Sequence, residues 1–415
     1  MEGCSPTTVH GETTDWRLWE VTTSVMKSFS INRCLQITLI VSIIGAMVSF
    51  LLLLSRWSLA TDSAHANAIF VGLVTDENTL VDQTWNWTSY QGLLRAESEL
   101  GVVGKVYTST SSVDYGPNLQ QCVSDGNNLC ISVGSSMADA TWNIAQANPA
   151  VDFAIVDFAW NEAYPDNVRG MDFAVNETGF LAGTLAGLIT ESDVIGAIGG
   201  FPVPVVEGYI EGYRNGGQQA NLNVSVSVVY TQDFADPAKG QQAAMDLINQ
   251  GVDVIFNVAG CSGSSGILYA AQQGVWVIGV DFDEYFTTFG GGTTPGANRL
   301  LSSALKEVDL AVFDTINDVV TGGFTSGTVL YDLAQLNSAA SVYTIAPDNE
   351  VLTRLIRLQG TGSIGLAPFH DAETSIPQSV KDDVDAVRQG IIDGTTDVNF
   401  SGRLYLPIVL KNTGS

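Results

Sequence analysis

Histidine is scarce in this chain: 415 residues carry three, His10, His65 and His370. The first two precede the first globular-looking stretch, so the body of the protein keeps only His370, in APFHDAE, with no HxxxH partner and no GxSxG serine elsewhere. Zinc hydrolases of the HExxH type and Ser-His-Asp machinery both need a histidine beside a specific partner. Neither fits, and His370 reads as a loop residue. Basic residues are few as well, 17 against 44 acidic, for a net charge of −27. Such a balance repels phosphate backbones and anionic headgroups, which excludes nucleic acid as a partner. No CxxC pair supports a cysteine zinc site. No GK[ST] loop exists, nor a GxGxxG with a partner acid about twenty residues on. The run GCSGSSG therefore reads as a tight turn rather than an anion-binding helix start. No cofactor and no metal are implied.

What is present describes a folded, exported protein. Hydrophobic residues make up 45% and charged residues 15%, the reverse of a disordered composition, and the length calls for more than one packed unit. The stretch LQITLIVSIIGAMVSFLLLL, residues 35–54, carries no charge and is flanked by Arg33 and Arg56. It is long enough to cross a bilayer. Residues 1–25 are acidic, whereas a start at Met26 gives MKSFSINR, a conventional basic leader. Ser58-Leu59-Ala60 and Ala64-His65-Ala66 are candidate signal-peptidase sites. The alternative is an uncleaved membrane anchor, and both place residues 67–415 outside the cytoplasm. Cys122 and Cys130, eight apart across a helix end and the next strand, suit a local disulfide in such an oxidising space.

From residue 68 onward, short apolar runs alternate with stretches of helical length. Strands are expected at 68–75, 103–110, 129–134, 152–158, 194–200, 224–231, 252–260 and 275–281, with helices at 84–99, 136–147, 177–190, 204–220, 236–250 and 264–273. Continuous Val/Ile/Ala runs indicate strands buried on both faces, as in parallel sheets covered by helices. That is an α/β architecture. Several strands end in polar or glycine-rich tips (VTDEN, SVGSS, VDFAW, GGFPVP, VAGCSG, GVDFDE), and ligands of open α/β sheets bind beyond the carboxyl ends of the strands. The stretch LVTDENTLVDQTWNW (73–87) sets Asp76 and Asp82 beside Trp85, Asn86 and Trp87. An indole stacks on a planar ring, and carboxylates accept hydrogen bonds from ring N–H groups or sugar hydroxyls. Trp85 is assigned to ligand binding and Trp87 to the core face of a helix. Carboxylates alone also permit glycosidase chemistry at Asp76, Asp82, Asp157 or Asp281.

Many ordered segments (among them VDQTWNWTSYQG, NVRGMDFAVNETGFLAGTLAG, IGAIGGFPVPVVEGYIEGYRNG, FADPAKGQQAAMDLINQGVDVIFNVAGCSGSSG, VIGVDFDEY and SSALKEVD) resemble the basic-membrane-protein (BMP) family of ABC-transporter substrate-binding proteins, over roughly 68–334 and again from about 362 to 400. The resemblance implies a type I periplasmic binding protein: two doubly wound Rossmann-like lobes joined by a hinge, closing on a nucleoside, with no catalysis of its own, and working with an ABC permease and ATPase. It implies a leader at 1–66, one lobe from 67–175 plus about 281–320, another from 176–280 plus about 321–400, and a tail at 401–415. Residues 335–361 interrupt the pattern as an insertion. By the same resemblance, Trp85 stacks on the base, Asn86 and Asp76 meet its edge, Phe256 supplies the second ring, and Asp281 and Lys306 grip the ribose. Asp157 and Gly260 stand at further tips of the cleft. The alternative for Lys306 is a surface lysine paired with Glu307 or Asp309. The family usually has Phe at the position of Trp85 and Gln at that of Glu284, so a changed ligand preference is expected. No cysteine stands directly after the apolar stretch, which argues against the family's lipid anchor. A carboxylate-based nucleosidase or glycosidase, and a ligand sensor without transport, are the competing functions.

Overall fold

A computed structural model describes residues 68–77, 80, 85–160, 164–334 and 364–399. The leader, the 335–361 insertion, the 401–415 tail and Asp82 lie outside them. Among the described residues no helix is long and apolar enough to cross a membrane.

The apolar run from Ala68 becomes strand β1 (Phe70–Val74), and its neighbours follow the same logic. Strand β3 (Leu129–Val133) is buried at every position, whereas VGKVY alternates between exposed and half-buried residues and ends on the buried Tyr107 as β2 (Val103–Tyr107). The first therefore runs through the centre of a sheet and the second along its edge. With β4 (Asp152–Val156), β5 (Val168–Phe173) and β11 (Gly327–Tyr331) they form a six-stranded sheet in the order β11-β5-β4-β3-β1-β2, parallel throughout. Helices α1 (Trp85–Leu100), α2 (Tyr115–Ser124) and α3 (Ala138–Ala147) connect its strands. The Cys122–Cys130 disulfide joins α2 to β3, with Cα atoms 6.2 Å apart.

The second sheet repeats the plan. It contains β6 (Val194–Gly199), β7 (Ser225–Tyr230), β8 (Val254–Val258), β9 (Trp276–Asp281), β10 (Leu300–Lys306) and the short β12 (Ile364–Leu366), in the order β12-β10-β9-β8-β6-β7. Only β12 runs antiparallel. Its helices are α4 (Val175–Ile189), α5 (Pro204–Ala220), α6 (Pro237–Asn249), α7 (Gly260–Gln272), the one-turn α8 (Glu284–Thr287) and α10 (Gln378–Ile392), while α9 (Val308–Thr321) packs on α1 of the first half. Helix α6 starts where the sequence says it should: Asp236 caps it by accepting Ala238 N–H at 2.9 Å, with Pro237 in the first turn.

The chain passes between the sheets at Phe173–Val175, at Lys306–Val308 and between Tyr331 and Ile364. The first and third passages touch: Ala174 N–H donates to Tyr331 O at 2.9 Å, and the Phe173 and Tyr331 rings stack at 5.2 Å.

Three expectations need correction. The segment from 281 to 306 belongs to the second sheet, because β10 continues the parallel series beside β9; α9 and β11 belong to the first, and the chain returns only at β12. No shift of composition marks those crossings. The glycine run GCSGSSG is the first turns of α7, not a tight turn. Its glycines serve close packing: a Cβ on Gly263 would fall 1.6 Å from Asn257 Oδ1, and one on Gly266 2.6 Å from Ile198 Cδ1. Strands β5, β10, β11 and β12 and helices α9 and α10 were not expected. The helix end expected at Cys122 is that of α2, whose first turn holds Gly116 and Pro117, a place where proline is tolerated.

Arg169 anchors the first half. Its guanidinium is 2% exposed, sits 2.7 Å from Asp318 Oδ2, donates to Thr325 O at 3.0 Å and lies over the Phe324 ring. One turn before Asp318, burial pushes the Asp314 carboxyl up to about 6, helped by Asp318 and opposed by Arg95 and Arg169. A raised carboxyl binds its proton more tightly in the folded state. Its favourable contribution is present below the unfolded value near 4 and is lost as pH rises through about 6. Asp314→Asn should therefore stabilise the protein by about 1 kcal/mol at pH 7.5, after discounting for solvent screening. In urea titrations the gain should shrink through pH 6 and vanish near pH 4.

Candidate functional site

Because the strands of each sheet run parallel, their carboxyl ends gather on one side, and the two sets of tips enclose a cavity of about 580 Å³. This is the size of a small-molecule site. From the first half come Asp76 after β1, Gly134, Ser135 and Ser136 after β3, Asp157 after β4, and Trp85 at the start of α1. From the second come Phe201 after β6, Phe234 after β7, Asn257 and Gly260 around the end of β8, Asp281 at the end of β9 with Phe282 after it, and Lys306, the last residue of β10.

A charged cluster lies at the junction of the halves. Lys306 is 2% exposed; its Nζ lies 2.9 Å from Asp157 Oδ2 and 3.2 Å from Asp281 Oδ1, and 4.0 Å above the Trp85 ring. One ammonium thus joins a carboxylate from each sheet. The surface-lysine alternative is excluded. Tyr209 O–H, from α5, donates to Asp281 Oδ1 at 3.0 Å. Burial pushes the Asp157 carboxyl up, against the pull of Lys306. Burial also works against a charged Lys306, but Asp157 and Asp281 outweigh it and hold the ammonium above the ordinary lysine value. Burial and the two acids raise the Tyr209 hydroxyl well above a normal phenol, so it remains a donor. Asp157 and Asp281 occupy matching places, each at the end of the fourth strand of its half. Both adopt left-handed φ, +60° and +64°. Non-glycine residues held there are strained, and such strain concentrates at functional sites.

The other candidate residues divide. Asp76, Trp85, Asp157, Gly260, Asp281 and Lys306 all line the cavity. Asn86 is fully buried behind it, and its Nδ2 donates to Asp76 Oδ1 at 2.7 Å; it orients Asp76 rather than facing the space. A Cβ on Gly134 would stand 3.8 Å from both Asp76 Oδ2 and Trp85 Nε1, so the loop passes close over both groups. Trp87 is half-buried on α1 and does not line the cavity.

Phe256 is a correction. It is 0% exposed and does not line the cavity; its ring packs against Tyr213 at 5.1 Å and Tyr209 at 6.0 Å. Strand residues alternate faces, so Phe256 points to α5 while its neighbour Asn257 borders the cavity. The phenylalanines that do line the cavity from the second half are Phe201, Phe234 and Phe282, with Phe201 and Phe234 edge-on at 5.4 Å. All three sit in the strand tips, directly after Gly200, Asp233 and Asp281, and that placement was the available signal. His370 stands outside the lining, 2.7 Å from Asp283 through Nε2 and stacked on Tyr285. Among the described residues no group of acidic, histidine or cysteine side chains is arranged to hold a metal.

The site can grip a flat, hydroxyl-bearing molecule: aromatic faces from both halves, acceptors at Asp76, Asp157 and Asp281, and donors at Lys306 and Tyr209. A model of the Bmp family, described as ABC transporter substrate-binding protein PnrA-like, matches residues 69–335. The chain is 33% identical over 283 residues to the CD4+ T-cell-stimulating antigen of Listeria innocua, covering 64% of this chain and 78% of that protein. It is 33% identical over 272 residues to the ABC transporter nucleoside-binding protein BmpA of Lactococcus lactis, covering 62% and 77%. Its fold matches an ABC transporter solute-binding protein from Aeropyrum pernix at a TM-score of 0.65 and 24% identity, over 79% of this chain and 92% of that one.

Proposed function

Since the chain belongs to the Bmp family of PnrA-like ABC-transporter substrate-binding proteins, we propose that its solute is a nucleoside, with purine nucleosides the favoured class, captured outside the cytoplasm and handed to a permease driven by an ATPase. The observation that carries this reading is the Asp157–Lys306–Asp281 cluster set against Trp85, in a cavity that Phe201, Phe234 and Phe282 also line. Ribose hydroxyls donate to the two carboxylates and accept from the ammonium. The base lies between the indole and a phenylalanine ring of the other half, with Asp76 at its edge. A ligand that touches both halves binds their closed arrangement best, so it shifts the population toward closure about the three passages between the sheets. The protein changes no bond in its ligand: it binds and releases.

A thermal-shift panel of nucleosides, bases, sugars and amino acids tests this. Micromolar affinity corresponds to about −8 kcal/mol, and saturation at a hundredfold over Kd adds about 2.7 kcal/mol of stability. Nucleosides should raise the melting temperature by several degrees. Trp85→Ala should weaken binding by about 1–3 kcal/mol through lost stacking. A shift confined to sugars or to amino acids would overturn the assignment. Release of free base from inosine or adenosine would instead make the protein a carboxylate-based nucleosidase.

A further inference from the structure

Residues 281–284 form the acidic tip DFDE, and its carboxylates diverge. Asp281 faces the cavity, Asp283 pairs with His370, and Glu284 turns inward. Although an added charge at Glu284 was expected to act on the ligand, Glu284 is 0% exposed and does not line the cavity. Its Oε1 accepts Asn257 Nδ2–H at 2.7 Å and Val280 N–H at 3.1 Å, and its Oε2 accepts Thr288 Oγ1–H at 2.6 Å. Its own N–H donates to Ser303 Oγ on β10 at 3.0 Å. Strand β9 makes room for this side chain: a Cβ on Gly279 would stand 2.9 Å from both Cβ and Cγ of Glu284. Asn257 in turn accepts Ala259 N–H at 2.9 Å, at the entrance to α7.

Two tips of the second half therefore meet at one carboxylate. The end of β8 and the first turns of α7 give the cavity Asn257, Gly260 and Ser264; the end of β9 and the residue after it give Val280, Asp281 and Phe282. We propose that Glu284 is a positioning residue for the ligand cleft, fixing the spacing between these two tips and so the places of Asp281 and Phe282 opposite Gly260. The proposal deepens the solute-receptor reading and rests on it for its binding readout. What the site requires of residue 284 is reach and acceptors, because an unmatched Asn257 amide or Val280 N–H in this buried setting is costly. Charge is not required.

Glutamine has the same reach: its carbonyl oxygen serves Asn257 and Val280, and its amide donates to Thr288. Aspartate keeps the charge but is one methylene short, and leucine fills the space without acceptors. Nucleoside titration calorimetry on the purified protein should find Glu284→Gln within about twofold of wild type, and Glu284→Asp and Glu284→Leu weaker by about tenfold or more. Amide exchange in the ligand-free protein is the second measurement. Val280 and Ala259 should lose about tenfold in protection in Glu284→Asp and keep it in Glu284→Gln. Wild-type affinity and exchange in Glu284→Asp would overturn the proposal, as would a loss in Glu284→Gln equal to that in Glu284→Asp. If Glu284→Leu does not fold, the aspartate and glutamine variants decide. If wild type binds no nucleoside, the receptor reading falls, and the exchange data alone still decide whether Glu284 holds the two tips.

Discussion

Lys306→Met is expected to lower stability by about 3–5 kcal/mol near neutral pH, the usual result of stranding buried charge, and to weaken nucleoside binding about a hundredfold or more. Methionine keeps the length and apolar stem of the side chain, so packing against Trp85 and Phe173 survives and the loss is electrostatic. Without the ammonium, Asp157 and Asp281 face each other across the two halves, with Tyr209 O–H still donating to Asp281. Asp157, already pushed up by burial, then rises further. A carboxyl whose folded value exceeds its unfolded one favours the folded state at low pH, so the deficit of the variant should shrink as pH falls toward 4. Lys306 follows the same sign in the wild-type protein, but in a higher pH range. Its raised value means that its contribution is complete below the ordinary lysine range and is lost only in strongly alkaline solution. Asp157→Asn combined with Lys306→Met should recover much of the lost stability, because the two changes remove one interaction. Urea titrations of the single and double variants at pH 5 and 7.5 check this. Additive losses, or a Lys306→Met variant as stable as wild type, would mean that the cluster does not couple the halves.

The parts of this site that were legible in the sequence are those fixed by chain direction. Parallel strands end on one side, so Asp76, Asp157, Gly260 and Asp281, all near strand ends, line a common space. Trp85 follows from its place at the start of the helix after β1. Face was not legible. In VDVIFNVAG every residue of β8 is buried, so no polar alternation tells which side Phe256 takes, and the tertiary packing of Tyr209 and Tyr213 decides it. Pairing across the chain was not legible either. Strand β10 joins β9 only after a loop with a four-residue helix and two short 3-10 turns, and the antiparallel β12 joins β10 from residue 364. Those long-range pairings carry the boundary between the halves to positions that no local composition marks. Tyr209 was hidden for the same reason. It lies within the helix read at 204–220, and only the tight approach of α5 to α4 carries its hydroxyl to Asp281.

That approach sets the second large effect: Gly183→Val is expected to cost about 3 kcal/mol or more, because the added side chain has nowhere to go. Helix α4 carries Gly179, Gly183 and Gly187, and α5 carries Gly212 and Gly216, each series at intervals of four so that it lies along one helix face. Each interior glycine costs roughly 1 kcal/mol against alanine in helix propensity, so three in α4 need a return in packing. The return is backbone contact. A Cβ on Gly183 would stand 2.0 Å from Tyr213 O, on Gly179 2.4 Å from Tyr209 O, on Gly216 2.0 Å from Phe180 O, and on Gly212 2.2 Å from Asn176 O. The obstacles are main-chain atoms, which cannot swing aside as a flexible side chain can. Valine at 183 therefore forces α5 away from α4, and with it Tyr209, whose hydroxyl holds Asp281. Binding should weaken along with stability. The control is Gly116→Ala in α2, where a Cβ meets nothing within 4 Å; it should leave stability unchanged or raise it by up to about 1 kcal/mol. Chemical denaturation of both variants, with ligand titration on whatever fraction of Gly183→Val folds, separates the two expectations. A Gly183→Val protein with a wild-type midpoint would show that the helices can part without cost, and that the four-residue glycine spacing has another origin.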